Sequence, residues 1–404
     1  MAEQCGTAPG RASRGPRAYR LILLIPGTAV LLFGLLADFI RLEGGKMRAQ
    51  NDRVILLVAG FMLLIAGFCF HKLASVSARR RISLVIVAFS AMLLTLSVVE
   101  IVYRCWDPHG MVYYTETARY FRLMQKDEDF AYIHQPGLQD TFQGVAVDIN
   151  SEGLRWPEFH EKAKGTKRLL VLGDSVVFGW GVEPDRIFPA VLQEMLRRQG
   201  SHWEVVVAGV GSWNTRTEFE WLKKRGLGYE PDMLLLYIDG NDVIPRPGGR
   251  TQVSKELLFS GPLAPQEQGF PAALWQRATD YSAVLRYLQH LRRRNERKDE
   301  IETLCRADAP QWKDMEAALR GLAELCRERG IVLVAVSLSS MSDSLVQRCG
   351  ECLAATGTPY TILKPEILDH RNSCIDAHPD AIGHRMMAEE IWSLIEPLFT
   401  SENQ

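Results

Sequence analysis

Four short stretches carry residue types suited to one kind of chemistry. They are Gly173-Asp174-Ser175-Val176-Val177-Phe178-Gly179, then Ala208-Gly209-Val210-Gly211-Ser212-Trp213-Asn214-Thr215, then Asp239-Gly240-Asn241-Asp242, and near the end Asp376-Ala377-His378-Pro379 with Gly383-His384 behind it. A serine hydroxyl is too weakly acidic to attack a carbonyl unaided and needs a base within hydrogen-bond reach. His378 offers an imidazole that titrates near neutrality, and Asp376, two residues earlier, offers a carboxylate to fix its tautomer. The backbone N–H of Ser175 at a helix start and the side-chain amide of Asn241 are donors for a developing oxyanion. Each stretch alone is ordinary. Gly-Asp-Ser after a strand is usually a turn, Asn-Asp usually a helix cap, and Asp-x-His a surface loop or a metal ligand. Four of them in order, each at a strand end or on the last loop, make a constellation.

The elements between them set that geometry. Short apolar runs at Arg168–Leu172, Trp203–Ala208, Met233–Ile238 and Ile331–Leu338 read as buried strands. Helical periodicity runs over Ile187–Arg198, Thr217–Arg225, Trp312–Arg329 and Ala381–Phe399, with Gly200 and Gly330 as stops. Alternating strands and helices imply a mostly parallel α/β sheet covered on both faces. In such sheets ligands sit beyond the carboxyl ends of the strands, where three of the four stretches fall. Residues 104–165 read as an irregular stalk, apart from a strand at Val145–Asn150 and a turn at Asn150-Ser151-Glu152-Gly153. Residues 243–309 interrupt the alternation as an insert, with a basic helical patch at Arg286–Lys298 that is read as a solvated face or as a lid or membrane-surface contact beside the site.

The ordered stretches resemble the SGNH hydrolases, also called the GDSL family, over roughly residues 145–397, and Asn150-Ser151-Glu152-Gly153-Leu154-Arg155 looks like its bacterial membrane-tethered members. The resemblance implies a three-layer, flavodoxin-like domain over 166–400. It assigns the nucleophile to Ser175, the base and its partner to His378 and Asp376, and the oxyanion hole to Ser175, Ser212 and Asn241. Two positions depart from the family pattern. Ser212 stands where a Gly normally gives its N–H; the N–H survives the change, but a requirement for positive φ would disfavour Ser. Asp376 stands two residues before His378 rather than three, with Asp369 a less favoured substitute. His384 is read as structural. The implied activity is ester hydrolysis through an acyl-enzyme, on a lipid or an acylated saccharide, without cofactor or metal. The alternatives are O-acyl transfer to envelope or exported polysaccharide, and a non-catalytic scaffold in an envelope complex.

Before residue 104 the chain reads differently. A basic tail (residues 1–20) precedes three apolar runs at about 21–40, 54–70 and 83–103, near the ~20 residues a bilayer core requires. Pro26 is tolerable in such a span, and Asp38 and Glu100 lie near run ends. Basic residues divide eight to seven between the two faces, so the Arg79-Arg80-Arg81 cluster decides for an inside N-terminus, with the large domain on the extracytoplasmic side. A net charge of −1 gives no electrostatic footprint for nucleic acid. Cys105, Cys305, Cys326, Cys349, Cys352 and Cys374 suit an oxidising compartment, and Cys349-Gly-Glu-Cys352 reads by default as structural or incidental, with a local disulfide, a redox pair or half a metal site that lacks its second half as alternatives.

Overall fold

The computed structural model describes residues 89, 95–103, 105–107, 109–199, 202–244, 282–338 and 342–400. They fall in two compact units, Met1–Trp106 and Asp107–Gln404. In the first, residues 95–103 are helical, with Leu96, Val98, Val99, Ile101 and Val102 exposed. The spans expected at 21–40 and 54–70, and most of that at 83–103, lie outside the described residues. Among the described residues, no helix is long and apolar enough to cross a membrane.

The second unit opens with α1 (Val112–Arg122), a hairpin of β1 (Gln125–Asp127) and β2 (Ala131–Ile133), and a hairpin of β3 (Gln139–Phe142) and β4 (Val145–Asp148). The expected irregular stalk is therefore folded. Its strands have only three or four residues, too few for alternation to stand out. Gln143 and Gly144, with φ of +50° and +80°, make a two-residue primed turn whose twist suits paired strands. Tyr120, Phe130, Tyr132, Phe142, Val147 and Leu154 from this segment are buried in the same core as one face of the main sheet.

The alternating part follows: β5 (Lys167–Gly173), α2 (Ser175–Phe178), α3 (Phe188–Arg198), β6 (Trp203–Gly209), α4 (Thr215–Lys224), β7 (Met233–Ile238), α5 (Ala283–Leu304), α6 (Pro310–Arg329), β8 (Val332–Leu338), α7 (Asp343–Thr356), β9 (Tyr360–Leu363) and α8 (Ala381–Thr400). Five parallel strands run in the order β6-β5-β7-β8-β9. Period-2 geometry splits each strand between two cores. Leu170, Leu172, Leu234 and Leu236 face a layer containing α4, α6, α7 and the upstream segment. Leu169, Val171, Leu235 and Tyr237 face α3 and α8 through Phe188, Leu192, Met387 and Ile391. The fold is thus the expected three-layer α/β arrangement. Strand β9 escapes the sequence because it is a short edge strand in which only Leu363 is buried.

The basic patch belongs to α5, which carries Arg286 and docks by its first turns: His290 Nδ1 lies 2.7 Å from the Tyr114 hydroxyl, and Tyr287 stacks on His109. The cysteine expectation needs correcting. Cys349 and Cys352 are buried free thiols three residues apart on α7, and the other four described cysteines are also free. Helical neighbours at that spacing hold their Cβ atoms about 5–6 Å apart, beyond the reach of a relaxed disulfide. Burial raises both thiols well away from reactivity.

One buried cation fastens the upstream segment to the sheet. Arg155 is 4% exposed, and its guanidinium donates to the carbonyls of Phe178 (3.0 Å), Gly179 (2.7 Å), Ala146 (2.8 Å) and Val182 (2.9 Å). Burial pulls its pKa down to about 10. Truncation strands several buried acceptors at once, so Arg155→Met is expected to cost about 3–5 kcal/mol in denaturant unfolding. Arg155→Lys is expected to recover little of it, because three donors on a point charge cannot reproduce the planar fork. Wild-type stability in the Lys variant would contradict this account.

Candidate active site

Strand β5 ends at Gly173, and the chain turns at once into α2. Asp174 caps that helix by accepting the Val176 N–H at 2.9 Å, which leaves Ser175 as its first residue. Four residues later Gly179 closes the helix in the left-handed conformation. Gly209, at the end of β6, lets the backbone of α2 approach that strand closely: a Cβ there would lie 2.3 Å from the Phe178 nitrogen. In this sheet order the switch point lies between β5 and β7, and the stretches holding Ser175 and Asn241 flank it.

The C-terminal loop brings the base across. His378 Nε2 lies 2.7 Å from Ser175 Oγ, and His378 Nδ1 lies 2.5 Å from Asp376 Oδ1. A charged carboxylate only accepts, so Nδ1 carries hydrogen and Nε2 presents a lone pair to the serine. The two-residue spacing works because the loop turns tightly, the His378 N–H also donating to Asp376 Oδ1 at 3.2 Å. Asp369 lies in a 3₁₀ turn, and His378 is served by Asp376 instead.

Burial opposes charge on both partners, and their mutual attraction outweighs it. The His378 pKa is raised: burial lowers it, but the charge and hydrogen bond of Asp376 lift it further, helped by Asp174 and Asp239. Asp376 is fully buried, yet its pKa is lowered, because His378 and a donor from Gln143 offset desolvation. Behind the serine, burial raises the pKa values of Asp174 and Asp242, with repulsion from Asp239 adding to the first and from Asp174 to the second. His384, the second histidine of the last stretch, is buried and pushed down to about 3 by desolvation, and its Nδ1 accepts the Phe188 N–H at 3.0 Å. It caps α3 and stands outside the relay.

The oxyanion candidates lie on three loops. Asn241 Nδ2 donates one hydrogen to Asp174 Oδ2 at 2.8 Å, which fixes the amide and leaves its second hydrogen available. Ser212 has φ of +61°. The conformation that disfavours serine is therefore adopted, at a cost of about 1–2 kcal/mol, with the N–H retained.

A serine hydroxyl engaged by a carboxylate-backed imidazole on a parallel α/β sheet defines a serine hydrolase acting on ester bonds. The chain belongs to the GDSL-like lipase/acylhydrolase family, whose model matches residues 171–386. Similar solved structures include one titled as TesA (15% identity, 57% of this chain and 99% of that one, TM-score 0.38). Another is the psychrotrophic esterase EstA from Pseudoalteromonas sp. (12% identity, 58% and 99%, TM-score 0.37). A third is the lipase/acylhydrolase from Enterococcus faecalis (13% identity, 57% and 96%, TM-score 0.34). No curated protein matches the chain.

Sequence reasoning missed several residues at the site. Gln143, in the β3–β4 turn, donates to Asp376 Oδ2 at 2.9 Å, and Asn372 Nδ2 reaches the same oxygen at 3.4 Å. The rings of Tyr113 and Trp180 flank the His378 imidazole, with centroids 5.9 and 6.5 Å away. Nothing in the sequence marks these residues as chemical. A hydrogen bond to a charged group contributes about 1.5–3 kcal/mol. Gln143→Ala is therefore expected to lower kcat roughly tenfold, and Gln143→Glu to lower it further by setting a second carboxylate against Asp376. Equal kcat in wild type and both variants would remove Gln143 from the site.

Proposed function

We propose that the chain is a membrane-anchored ester hydrolase working through an acyl-Ser175 intermediate, with its large domain on the extracytoplasmic side. One observation carries the catalytic reading: Ser175 Oγ, His378 Nε2 and Nδ1, and Asp376 Oδ1 lie in one hydrogen-bonded line of 2.7 and 2.5 Å. The anchor is supported by the three apolar runs, and the sidedness by their number and by the Arg79-Arg80-Arg81 cluster.

In the first step the Oγ–carbonyl bond forms while the hydroxyl proton passes to His378 Nε2. The carbonyl π pair moves onto oxygen, toward the N–H groups of Ser175 and Ser212 and the Asn241 amide. The tetrahedral adduct collapses, the carbonyl re-forms, and the departing alkoxide takes the proton from His378. Water then repeats the sequence and releases the acid. A sugar hydroxyl in place of that water would turn the same relay into O-acyl transfer; product transferred to an added acceptor in excess of free acid would favour that version. A scaffold retained only for binding has no need of a positioned imidazole backed by a buried carboxylate.

Two outcomes test the reading. A membrane-impermeant fluorophosphonate applied to intact cells is expected to label the wild-type chain and not Ser175→Ala; a folded wild type that resists the probe even after permeabilisation would remove the nucleophile. The second test is the pH profile. The neutral imidazole is the active form, so kcat/KM falls as protonation sets in on acidification. Because the His378 pKa is raised, the midpoint of that fall is expected above 6.5. A flat profile between about pH 5 and 8 would rule out His378 as the base.

A further inference from the structure

Gly211 is gripped by side chains from outside the sheet, one on each of the two peptides it joins. The Tyr132 hydroxyl donates to the Gly211 carbonyl at 2.9 Å, and the Gly211 N–H donates to the Tyr120 hydroxyl oxygen at 3.1 Å. Trp213 Nε1 donates back to the Tyr132 carbonyl at 3.1 Å. The Gly211 peptide lies close under the Tyr120 ring: a Cβ on Gly211 would meet Tyr120 Cε1 at 2.8 Å.

Only one set of proton positions satisfies the groups around Tyr120. His134 Nδ1 faces the Gly153 carbonyl at 2.9 Å, and a carbonyl only accepts, so Nδ1 carries the hydrogen. The buried imidazole is neutral, its pKa pushed down to about 4 by desolvation. Its Nε2 is then bare and accepts from the Tyr120 hydroxyl at 2.6 Å. Tyr120, having donated to His134, is left with lone pairs for the Gly211 N–H. The chain of bonds runs in one direction from Gly211 to Gly153, with each step fixed by the one behind it.

We propose that Tyr132, supported by Tyr120 and His134, positions the Ser212 N–H as an oxyanion donor. The inference rests on the acyl-transfer reading given above. A peptide is planar and trans, so the carbonyl of Gly211 and the N–H of Ser212 point in opposite directions. Fixing the carbonyl oxygen on Tyr132 therefore aims the Ser212 N–H away from the upstream segment. That N–H has no hydrogen-bond acceptor among the described residues. The same loop is tied to the nucleophile strand by the Val210 N–H, which donates to the Gly173 carbonyl at 3.2 Å. A serine held at positive φ would otherwise be free to let this peptide rotate; Tyr132 opposes that rotation directly, and Tyr120 holds the preceding Val210–Gly211 peptide through its N–H. All three side chains lie upstream of the family-matched residues 171–386. They are positioning residues, acting through a backbone group rather than touching substrate.

The test uses the full chain in detergent, with p-nitrophenyl acetate as substrate and a trifluoromethyl ketone whose adduct with Ser175 carries the oxyanion. Rates are counted per site titrated with a fluorophosphonate, so that only folded enzyme contributes. Losing a whole oxyanion donor costs about 10²–10³ in kcat. Tyr132→Phe, which only loosens one, is expected to lower kcat roughly tenfold, leave KM within about twofold, and weaken ketone inhibition by the same factor as kcat. Gly211→Ala, which pushes the peptide off Tyr120 and leaves Tyr132 intact, is expected to show the same signature. Unchanged kcat and ketone affinity per titrated site in Tyr132→Phe overturns the inference, as does a rise in KM with kcat preserved. Ser175→Ala, counted per mole of folded protein because it does not titrate, separates the two levels. Activity that depends on Ser175 but ignores Tyr132 overturns the inference alone, whereas activity surviving Ser175→Ala overturns the underlying reading with it.

Discussion

A carboxylate with no exposed surface must be held by donors, or it takes up a proton and loses its charge. Asp376 is in that position, and the active site is organised around keeping it ionised. His378 engages one oxygen, Gln143 and Asn372 the other, and the neighbouring backbone N–H reinforces the first. The geometry of the imidazole follows. With Nδ1 committed to Asp376, only Nε2 is left to face the serine. The raised affinity of His378 for a proton is the electrostatic image of the same buried charge.

The sheet supplies the second half of the site without any special residue. Reversal of strand order between β5 and β7 leaves a crevice at their carboxyl ends, and the three loops that rim it carry Ser175, Ser212 and Asn241. What is unusual is the acidity of that rim. Asp174 and Asp242 are both buried, and burial raises the pKa of each, helped by Asp239 at Asp174 and by Asp174 and Asp239 at Asp242. Each is also structural: Asp174 caps the nucleophile helix and orients Asn241, while Asp242 accepts from Thr215 and from the Asp239 N–H. Asp174, together with Asp239, adds to the effect of Asp376 in lifting the basicity of His378.

Much of this was legible in the sequence, and the missing parts share a physical cause. The strands β5 to β8 were visible because each is a continuous apolar run, buried on both faces. The residues of the relay were visible because reactive types recur at strand ends in a fixed order. Tyr120, Tyr132, His134 and Gln143 were not, because they act through hydrogen bonds to groups between 79 and 233 residues away, or, for His134, to Tyr120 and Gly153 at 14 and 19 residues. A tyrosine whose hydroxyl meets a distant backbone carbonyl has no local pattern to betray it. Tyr120 lies on α1, and the hairpin strands on or beside which the other three lie are too short to show alternation, which is why the segment read as a stalk.

That misreading changes where the working unit begins. A boundary at residue 166 would keep every residue of the relay and the whole parallel sheet. It would also discard the grip of Arg155 on the Phe178 and Gly179 carbonyls at the end of the nucleophile helix, the donor from Gln143 to Asp376, and both tyrosines on Gly211. The Asn150–Arg155 stretch explains how these are coordinated. The Asn150 side chain accepts from the N–H groups of Glu152 and Leu154, the Gly153 carbonyl receives His134, and Arg155 reaches into the sheet. One six-residue turn thus connects the buried histidine, the strained peptide and the nucleophile helix. The chemistry belongs to the sheet, but the precision of its donors is imposed from the upstream segment, so the smallest complete catalytic unit starts near residue 107.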